Sequence, residues 1–151
     1  MGVLQRFERR LGGLVEGTFA KVFKGEVQPV EIASALQREA DDRKTVVAEG
    51  RVLVPNDYIV ELGSSDYGRL SPYEGPLGKE LASMVGEHAE EQGYSFVGPV
   101  KVRFEEVGEL DTGIFRVRSG VTAMISRLPR MSVVLDAAPI AYSRANHPMR
   151  P

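Results

Sequence analysis

The chain of 151 residues contains no cysteine and only two histidines. The absence of cysteine excludes disulfide bonds, thiolate zinc sites and a cysteine nucleophile, and it agrees with a reducing compartment. No apolar run approaches the roughly 18 to 20 residues that cross a bilayer, and the N-terminus has no apolar core of a signal peptide. We therefore expect a cytoplasmic protein without a membrane span.

An excess of positive charge is also missing. The chain has 19 basic and 21 acidic residues, a formal net charge of −2 and a pI of about 5.8. No overall basic field attracts nucleic acid, although local patches could still do so. With 42% hydrophobic and 26% charged residues, the composition suits one soluble domain with a hydrophobic core.

The common catalytic fingerprints are absent from the sequence. There is no G-x-S-x-G elbow, Walker A loop, dinucleotide-binding glycine motif or H-E-x-x-H. His88 lies among Glu87, Glu90 and Glu91, a set that could ligate a divalent metal if a partner helix added ligands. A solvated or partly buried helix face explains these residues better. We therefore expect no enzyme, no metal site and no cofactor.

The pattern around which the chain is organised spans residues 51–54 and 58–62. Apolar and polar residues alternate with a period of two in both runs, which is typical of half-buried strands. Residues 55–57 are Pro-Asn-Asp, a combination that favours a chain reversal, so the sequence predicts an antiparallel hairpin. In this register Val60 faces the core and Glu61 faces water.

Apolar residues at helical spacing predict three main helices. The first covers residues 3–24. The second begins at Pro29, a first-turn proline, with Glu31 placed favourably for the helix dipole. The third covers residues 79–92 and ends at Gly93, where a left-handed residue is expected.

Shorter elements complete the prediction. Residues 45–48 suit an edge strand, residues 67–70 a short helix, and residues 100–104 and 114–118 two further strands. The order α-α-β-β-α-β-β predicts an α+β fold, a small sheet of three or four strands packed against helices.

This element order, with residues 73–78 as a loop, resembles in outline a KH domain, whose GxxG loop clamps a nucleotide backbone. Gly75, Gly78 and Lys79 would form that nucleic-acid loop, and the basic residues Arg69 and Lys79 beside it and Lys101 and Arg103 on a strand favour this interpretation. An adjacent glutamate and a proline inside the loop argue against binding. Nucleic-acid binding is therefore the alternative function, and a KH-like fold without that function is better supported.

Five segments in order carry a more specific resemblance. They are L-Q-R-F-E-R-R-L with G-T-F-A-K-V-F-K-G, V-Q-P-V-E-I-A-S-A-L-Q-R-E-A-D, V-P-N-D-Y-I-V-E-L, E-Q-G-Y-S-F-V-G-P-V-K-V-R-F-E and L-D-T-G-I-F-R-V-R. Together they resemble the N-terminal domain, of unknown function, of the FhaA family of actinobacterial forkhead-associated (FHA) domain proteins. The match covers residues 1–118.

The resemblance implies a non-catalytic regulatory or adaptor module in a cytoplasmic signalling protein. Its expected partners are proteins, either Ser/Thr protein kinases or cell-envelope regulators that control peptidoglycan synthesis. The family's phosphopeptide-binding residues lie in the FHA domain, so the resemblance assigns no site residue here. Nucleic acid is not expected as a partner.

Residues 119–151 depart from the family pattern. They are too few for an FHA β-sandwich and lack the Gly, Pro and Gln richness of the expected linker. We expect a domain over residues 1–118 and a poorly ordered tail over 119–151, derived from a truncated or frame-shifted gene product.

Thr112 is a candidate phosphorylation site. Acidic residues precede it, Gly113 lets the backbone adapt, and Phe115 stands at +3, where FHA domains commonly discriminate among phosphothreonine peptides. A phosphate would add nearly two negative charges and create a docking site for an arginine-bearing reader. The simpler alternative is that Thr112 only leads into the strand over residues 114–118.

Overall fold

The computed structural model describes residues 2–14, 26–124, 132–136 and 140–143. Its helices are α1 (Val3–Leu14), α2 (Pro29–Asp42), α3 (Ser64–Leu70) and α4 (Glu74–Gln92). Its strands are β1 (Thr45–Val46), β2 (Val52–Leu53), β3 (Asp57–Leu62), β4 (Tyr94–Ser95), β5 (Lys101–Glu106), β6 (Ile114–Met124), β7 (Ser132–Asp136) and β8 (Ile140–Ser143). Two 3-10 turns lie at Ala48–Gly50 and Ser71–Tyr73. The predicted α+β class is confirmed.

The strands form two sheets. The small sheet has the order β1-β2-β4, and the main sheet has the order β5-β3-β6-β7 with β8 also paired to β6. Strand β3 lies between parallel β5 and antiparallel β6, so that Val60 is opposite Phe104 on one side and Val117 on the other. The predicted edge strand is confirmed as β1, which pairs antiparallel with β2.

The predicted antiparallel hairpin between residues 51–54 and 58–62 is wrong. Val54 N–H donates to Ser95 O at 3.1 Å, whereas Asn56 N–H donates to Gly120 O at 3.2 Å. The backbone therefore leaves the small sheet and enters the main sheet within two residues. Pro55, which has no N–H to donate, lies at this crossover.

The core lies between the helices and one face of the main sheet. The predicted core face of β3 is confirmed, because Tyr58, Val60 and Leu62 are fully buried. On β5, Val102 and Phe104 are buried while the alternate residues are exposed, as predicted. The helices contribute a set of buried apolar side chains that includes Phe7, Ile32, Leu36, Leu81, Met84 and Val85.

The prediction that Glu61 faces water is wrong. Its exposed fraction is 7%. Arg118 Nε donates to Glu61 Oε2 at 2.9 Å, and Arg116 Nε lies 2.9 Å from Oε1 as an ion pair. The arginines of β6 cover the carboxylate because they are its cross-strand neighbours.

Two helix ends follow the local chemistry that the sequence predicts. Pro29 begins α2, and Glu31 Oε1 accepts the Gln28 N–H at 3.0 Å, as its predicted position favours. Gly93 ends α4 with a left-handed φ of 78°, also as predicted. Helix α1 is described to Leu14, and the rest of the predicted helix over residues 3–24 lies outside the described residues.

The loop predicted over residues 73–78 is wrong, because α4 begins at Glu74 instead of residue 79. The 3-10 turn Ser71–Tyr73 runs directly into α4. Pro76 is compatible with this start, since N–H groups in the first turn of a helix have no partner within the helix.

Strand β6 is longer than the predicted strand over residues 114–118 and continues to Met124. Strands β7 and β8 pair with its two halves. The domain boundary expected after residue 118 stays a prediction, and β6 carries the described chain across that position.

Candidate functional site

A shallow groove of about 350 Å³ lies between the start of α4 and strand β5. It brings together the residues predicted as a nucleic-acid loop, Gly75, Gly78 and Lys79, with Lys101 and Arg103 of β5. The three α4 residues nevertheless lie on the first two turns of a helix, which corrects the expected loop.

Close contact between α4 and the edge of β5 explains why residue 78 is a glycine. Phe104 N–H donates to Glu74 Oε2 at 2.9 Å, so this outward-facing strand group is satisfied by the helix start. A Cβ on Gly78 would lie 3.1 Å from Val102 O. Gly78 thus permits the helix to approach the strand, a structural role that needs no nucleic acid.

A second depression of about 420 Å³ adjoins the first and shares Lys101 and Arg103 with it. Asn56 organises its floor. The Asn56 side-chain amide donates to Pro99 O at 3.1 Å and to Thr122 O at 3.0 Å, and its Oδ1 accepts the Thr122 N–H at 2.9 Å. We call the two depressions together the β5 groove. It is lined by residues 56, 57, 74, 75, 78, 79, 82, 97–103 and 122.

The cationic groups of the β5 groove are accessible. Lys79 and Lys101 are exposed, and neither makes an ion pair within the described part of the chain. The Arg103 side chain is 55% exposed, and its guanidinium lies 3.5 Å from Asp57 Oδ1. The three cations Lys79, Lys101 and Arg103 outnumber the two acids Asp57 and Glu74 in the lining, so the net charge of these residues is positive.

Thr112 lies exposed in the turn between β5 and β6. Ile114 N–H donates to Asp111 O at 3.0 Å across this turn, and Gly113 has a φ of 89°, which favours glycine. Phe115, the residue at +3, is only 2% exposed and belongs to the core. The folded domain therefore displays the threonine but not the side chain that an FHA domain would read at +3.

The buried carboxylate of Asp66 binds the backbone of the turn that contains Thr112. Asp66 is fully buried, and its Oδ2 accepts the Gly113 N–H at 2.8 Å. Its Oδ1 accepts the Val27 N–H at 3.2 Å and also binds Arg69. This one side chain joins α3, the start of the α2 segment and the turn before β6.

A second buried carboxylate links α2 to β6 and was not predicted. Glu39 is fully buried. The Ser119 hydroxyl donates a hydrogen bond to Glu39 Oε2, with an O–O distance of 2.6 Å, and Arg43 Nε lies 3.4 Å from the same oxygen. Burial raises the pKa of Glu39 above its ordinary value, although Ser119 and Arg43 oppose this. The sequence signal was an acid at a core-facing helical position, between Leu36 and Ala40.

His88 is a packed residue at the contact of α4 with α2. His88 Nε2 lies 2.8 Å from Asp41 Oδ1, and the Tyr94 hydroxyl donates a hydrogen bond of 2.7 Å to the same carboxylate oxygen. Burial is the main cause, and the hydrogen bond to Asp41 the second, that raises the pKa of Tyr94 to about 12. The neighbouring Glu87 pairs with arginines of α1. Over the described residues no group of three His, Cys, Asp or Glu could hold a metal ion.

The chain matches the family model described as FhaA, N-terminal domain, over residues 4–118. It is 35% identical over 136 residues to the FHA domain-containing protein FhaA of Mycobacterium tuberculosis, covering 90% of this chain and 25% of that protein. The chain thus spans about a quarter of the length of this relative.

A solved structure described as "Rv0020c_Nter structure" superimposes with a TM-score of 0.60 and 36% sequence identity. The superposition covers 70% of this chain and 80% of that one. In the part of the chain that the structure describes, no helix has the length and apolarity to cross a membrane.

Proposed function

Because this chain belongs to the FhaA N-terminal domain family, we propose that it acts as a non-catalytic adaptor module that contacts other proteins. The family match over residues 4–118 is the observation that carries the proposal. The sequence also lacks the common catalytic fingerprints.

The adaptor acts in the cytoplasm and connects Ser/Thr kinase signalling to the control of peptidoglycan synthesis. Support comes from the relative's description as an FHA domain-containing protein, since FHA domains recognise phosphorylated protein segments. The direct partners are then a Ser/Thr protein kinase or a cell-envelope regulator.

Thr112 is the kinase acceptor in this proposal. It is exposed in a turn whose backbone Asp66 holds through Gly113, so a kinase can reach it without unfolding the core. Because Phe115 is buried, the reader recognises the phosphate and the turn instead of the +3 side chain. The phosphate adds nearly two negative charges to a surface that already carries Glu109 and Asp111.

Phosphorylation of the full chain by a Ser/Thr kinase of the same organism tests the acceptor. Mass spectrometry is expected to place the phosphate on Thr112, and Thr112→Ala should abolish most incorporation. Thr45→Ala changes another exposed threonine and should leave incorporation intact. A phosphate found mainly on other residues would refute the assignment.

The adaptor role itself is tested by cross-linking the tagged full chain in cells and identifying the proteins that co-purify. A Ser/Thr kinase or a cell-envelope regulator is expected among the specific partners. Recovery of neither class at native expression levels would contradict the proposed pathway.

Nucleic-acid binding is the second candidate, favoured by the collection of Gly75, Gly78, Lys79, Lys101 and Arg103 in one groove. A real binder should bind labelled single-stranded RNA with an affinity that falls steeply as salt rises. A negligible signal at low salt would remove this candidate.

A further inference from the structure

The β5 groove has an arrangement of charge that is suited to an extended chain. Lys101 and Arg103 are alternate residues of β5 and project from one face of the strand. Their spacing is about 6.6 Å, which is also the spacing between alternate side chains of any extended peptide. Two acidic side chains at positions i and i+2 of such a peptide would therefore meet both cations.

The same groove offers an apolar contact next to the cations. Val97 is 41% exposed, and within the described part of the chain only Val46 is another exposed large hydrophobic residue. It lines the larger depression together with Pro99. Lys79 approaches the other depression from α4 and adds a third accessible positive charge.

We propose that the β5 groove binds an extended acidic peptide segment of a protein partner, whose acidic side chains at alternate positions face Lys101 and Arg103. This inference rests on the proposed adaptor function and names the chemistry of the segment that the adaptor recognises. Binding uses side chains more than strand addition, because the Phe104 N–H on the outer edge of β5 is already bound to Glu74.

The lining of the groove favours a peptide over nucleic acid. Among the lining residues that the structure describes, none is aromatic, so these residues offer unstacked bases no ring on which to stack.

Fluorescence anisotropy with the full chain and defined probes tests the inference. The probe is a labelled alternating glutamate–valine peptide of about ten residues, and an alternating lysine–valine peptide is its control. The acidic peptide should bind, and the basic peptide should not. Amide shifts in NMR spectra should change at β5 and at the start of α4.

A charge-reversed variant, Lys79→Glu with Lys101→Glu, should lower the affinity for the acidic peptide about tenfold or more. It leaves the Arg103–Asp57 contact intact. The matched variant Lys44→Glu with Arg51→Glu makes the same charge change at exposed positions outside the groove and should stay within about twofold.

Equal affinities of the two variants, binding of the basic peptide, or displacement of the acidic peptide by an oligouridine RNA would each overturn the inference. The cross-linking result decides separately on the adaptor role. Specific protein partners that are retained equally by the Lys79→Glu, Lys101→Glu variant would leave the adaptor role standing and remove the groove as its binding surface.

Discussion

At the residue scale, the carboxylate of Glu61 on β3 is bound by two arginines of the neighbouring strand β6, Arg116 and Arg118. Arg118 bridges it to Glu105, since the guanidinium donates to Glu61 at 2.9 Å and to Glu105 at 3.0 Å. Burial lowers the pKa of Arg118, but the hydrogen bonds to both carboxylates outweigh it and the pKa is raised. The guanidinium therefore stays charged at neutral pH.

The position of Glu61 predicts a large effect of charge reversal. Glu61→Lys should lower the free energy of unfolding by about 2 to 3 kcal/mol, because it places a third cation between two arginines. Urea denaturation measures the loss. Glu106→Lys on β5 is the control and should change stability by less than about 0.5 kcal/mol, since Glu106 is exposed. Similar losses for both variants would mean that the ion pairs of Glu61 add nothing to the free energy of unfolding.

Glu39 predicts a pH dependence of stability. Its folded pKa is raised from 4.5, the ordinary value, mainly by burial. The folded state therefore holds the proton more tightly than the unfolded state, and the resulting stability is present at low pH and lost as pH rises through the folded pKa.

Glu39→Gln removes this titration and can keep an oxygen for the Ser119 hydroxyl. The stability of the natural chain relative to the variant should fall as pH rises above the ordinary glutamate pKa of 4.5, measured by urea denaturation at each pH. A difference that is constant over this range, or that grows with pH, would contradict the raised pKa.

At the element scale, α4 shows how two glycines of one helix differ. A Cβ on Gly86 would meet nothing within 4 Å, whereas one on Gly78 would lie 3.1 Å from Val102 O. Gly86→Ala should therefore raise the free energy of unfolding by about 0.5 to 1 kcal/mol through helix propensity and reduced unfolded-state entropy.

Gly78→Ala should give no such gain, because the methyl group pushes α4 away from β5. Thermal denaturation of the two single variants measures the difference. An equal gain for Gly78→Ala would mean that the helix and strand can separate at no cost, and the proposed role of Gly78 would be wrong.

Elements whose signals are local were predicted well from the sequence. Helix α4 buries Leu81, Met84, Val85 and His88 at the predicted positions, and β5 keeps its predicted alternation. The hairpin failed because pairing partners are not local. Residues 52–53 pair with 45–46 and 94–95 instead of the next strand.

The candidate site was predicted in part. Gly75, Gly78, Lys79, Lys101 and Arg103 were named from the sequence, and the structure brings them into one groove. The helical state of Gly75 and Gly78 was not predicted, because a turn continuous with α4 has no clear sequence signal. The burial of Asp66 could not be predicted, since two of its partners, Val27 and Gly113, lie 39 and 47 residues away in the sequence.

At the scale of the whole molecule, β6 connects the family-matched region to the residues that follow it. The match ends at residue 118, while Ser119 binds Glu39, Gly120 is opposite Asp57, and Thr122 binds Asn56. These contacts tie residues 119–122 to β3 and α2.

A chain ending after Met124 should therefore be more stable than one ending after Arg118, by about 2 to 4 kcal/mol for the lost hydrogen bonds. Urea denaturation of the two shortened chains measures the difference. Equal stability would support a domain boundary at residue 118 and would mean that the contacts of Ser119 and Thr122 are dispensable.

The central position of β3 also affects how the protein is made. Leu62 pairs with Glu106 and with Phe115, which are synthesised about 44 and 53 residues later. At roughly 5 to 20 residues per second, the ribosome needs about 2 to 11 seconds to supply both neighbouring strands. During this interval the strand that carries Tyr58, Val60 and Leu62 has two open edges, and α1 and α2 are the described helices already made that can shield it from aggregation.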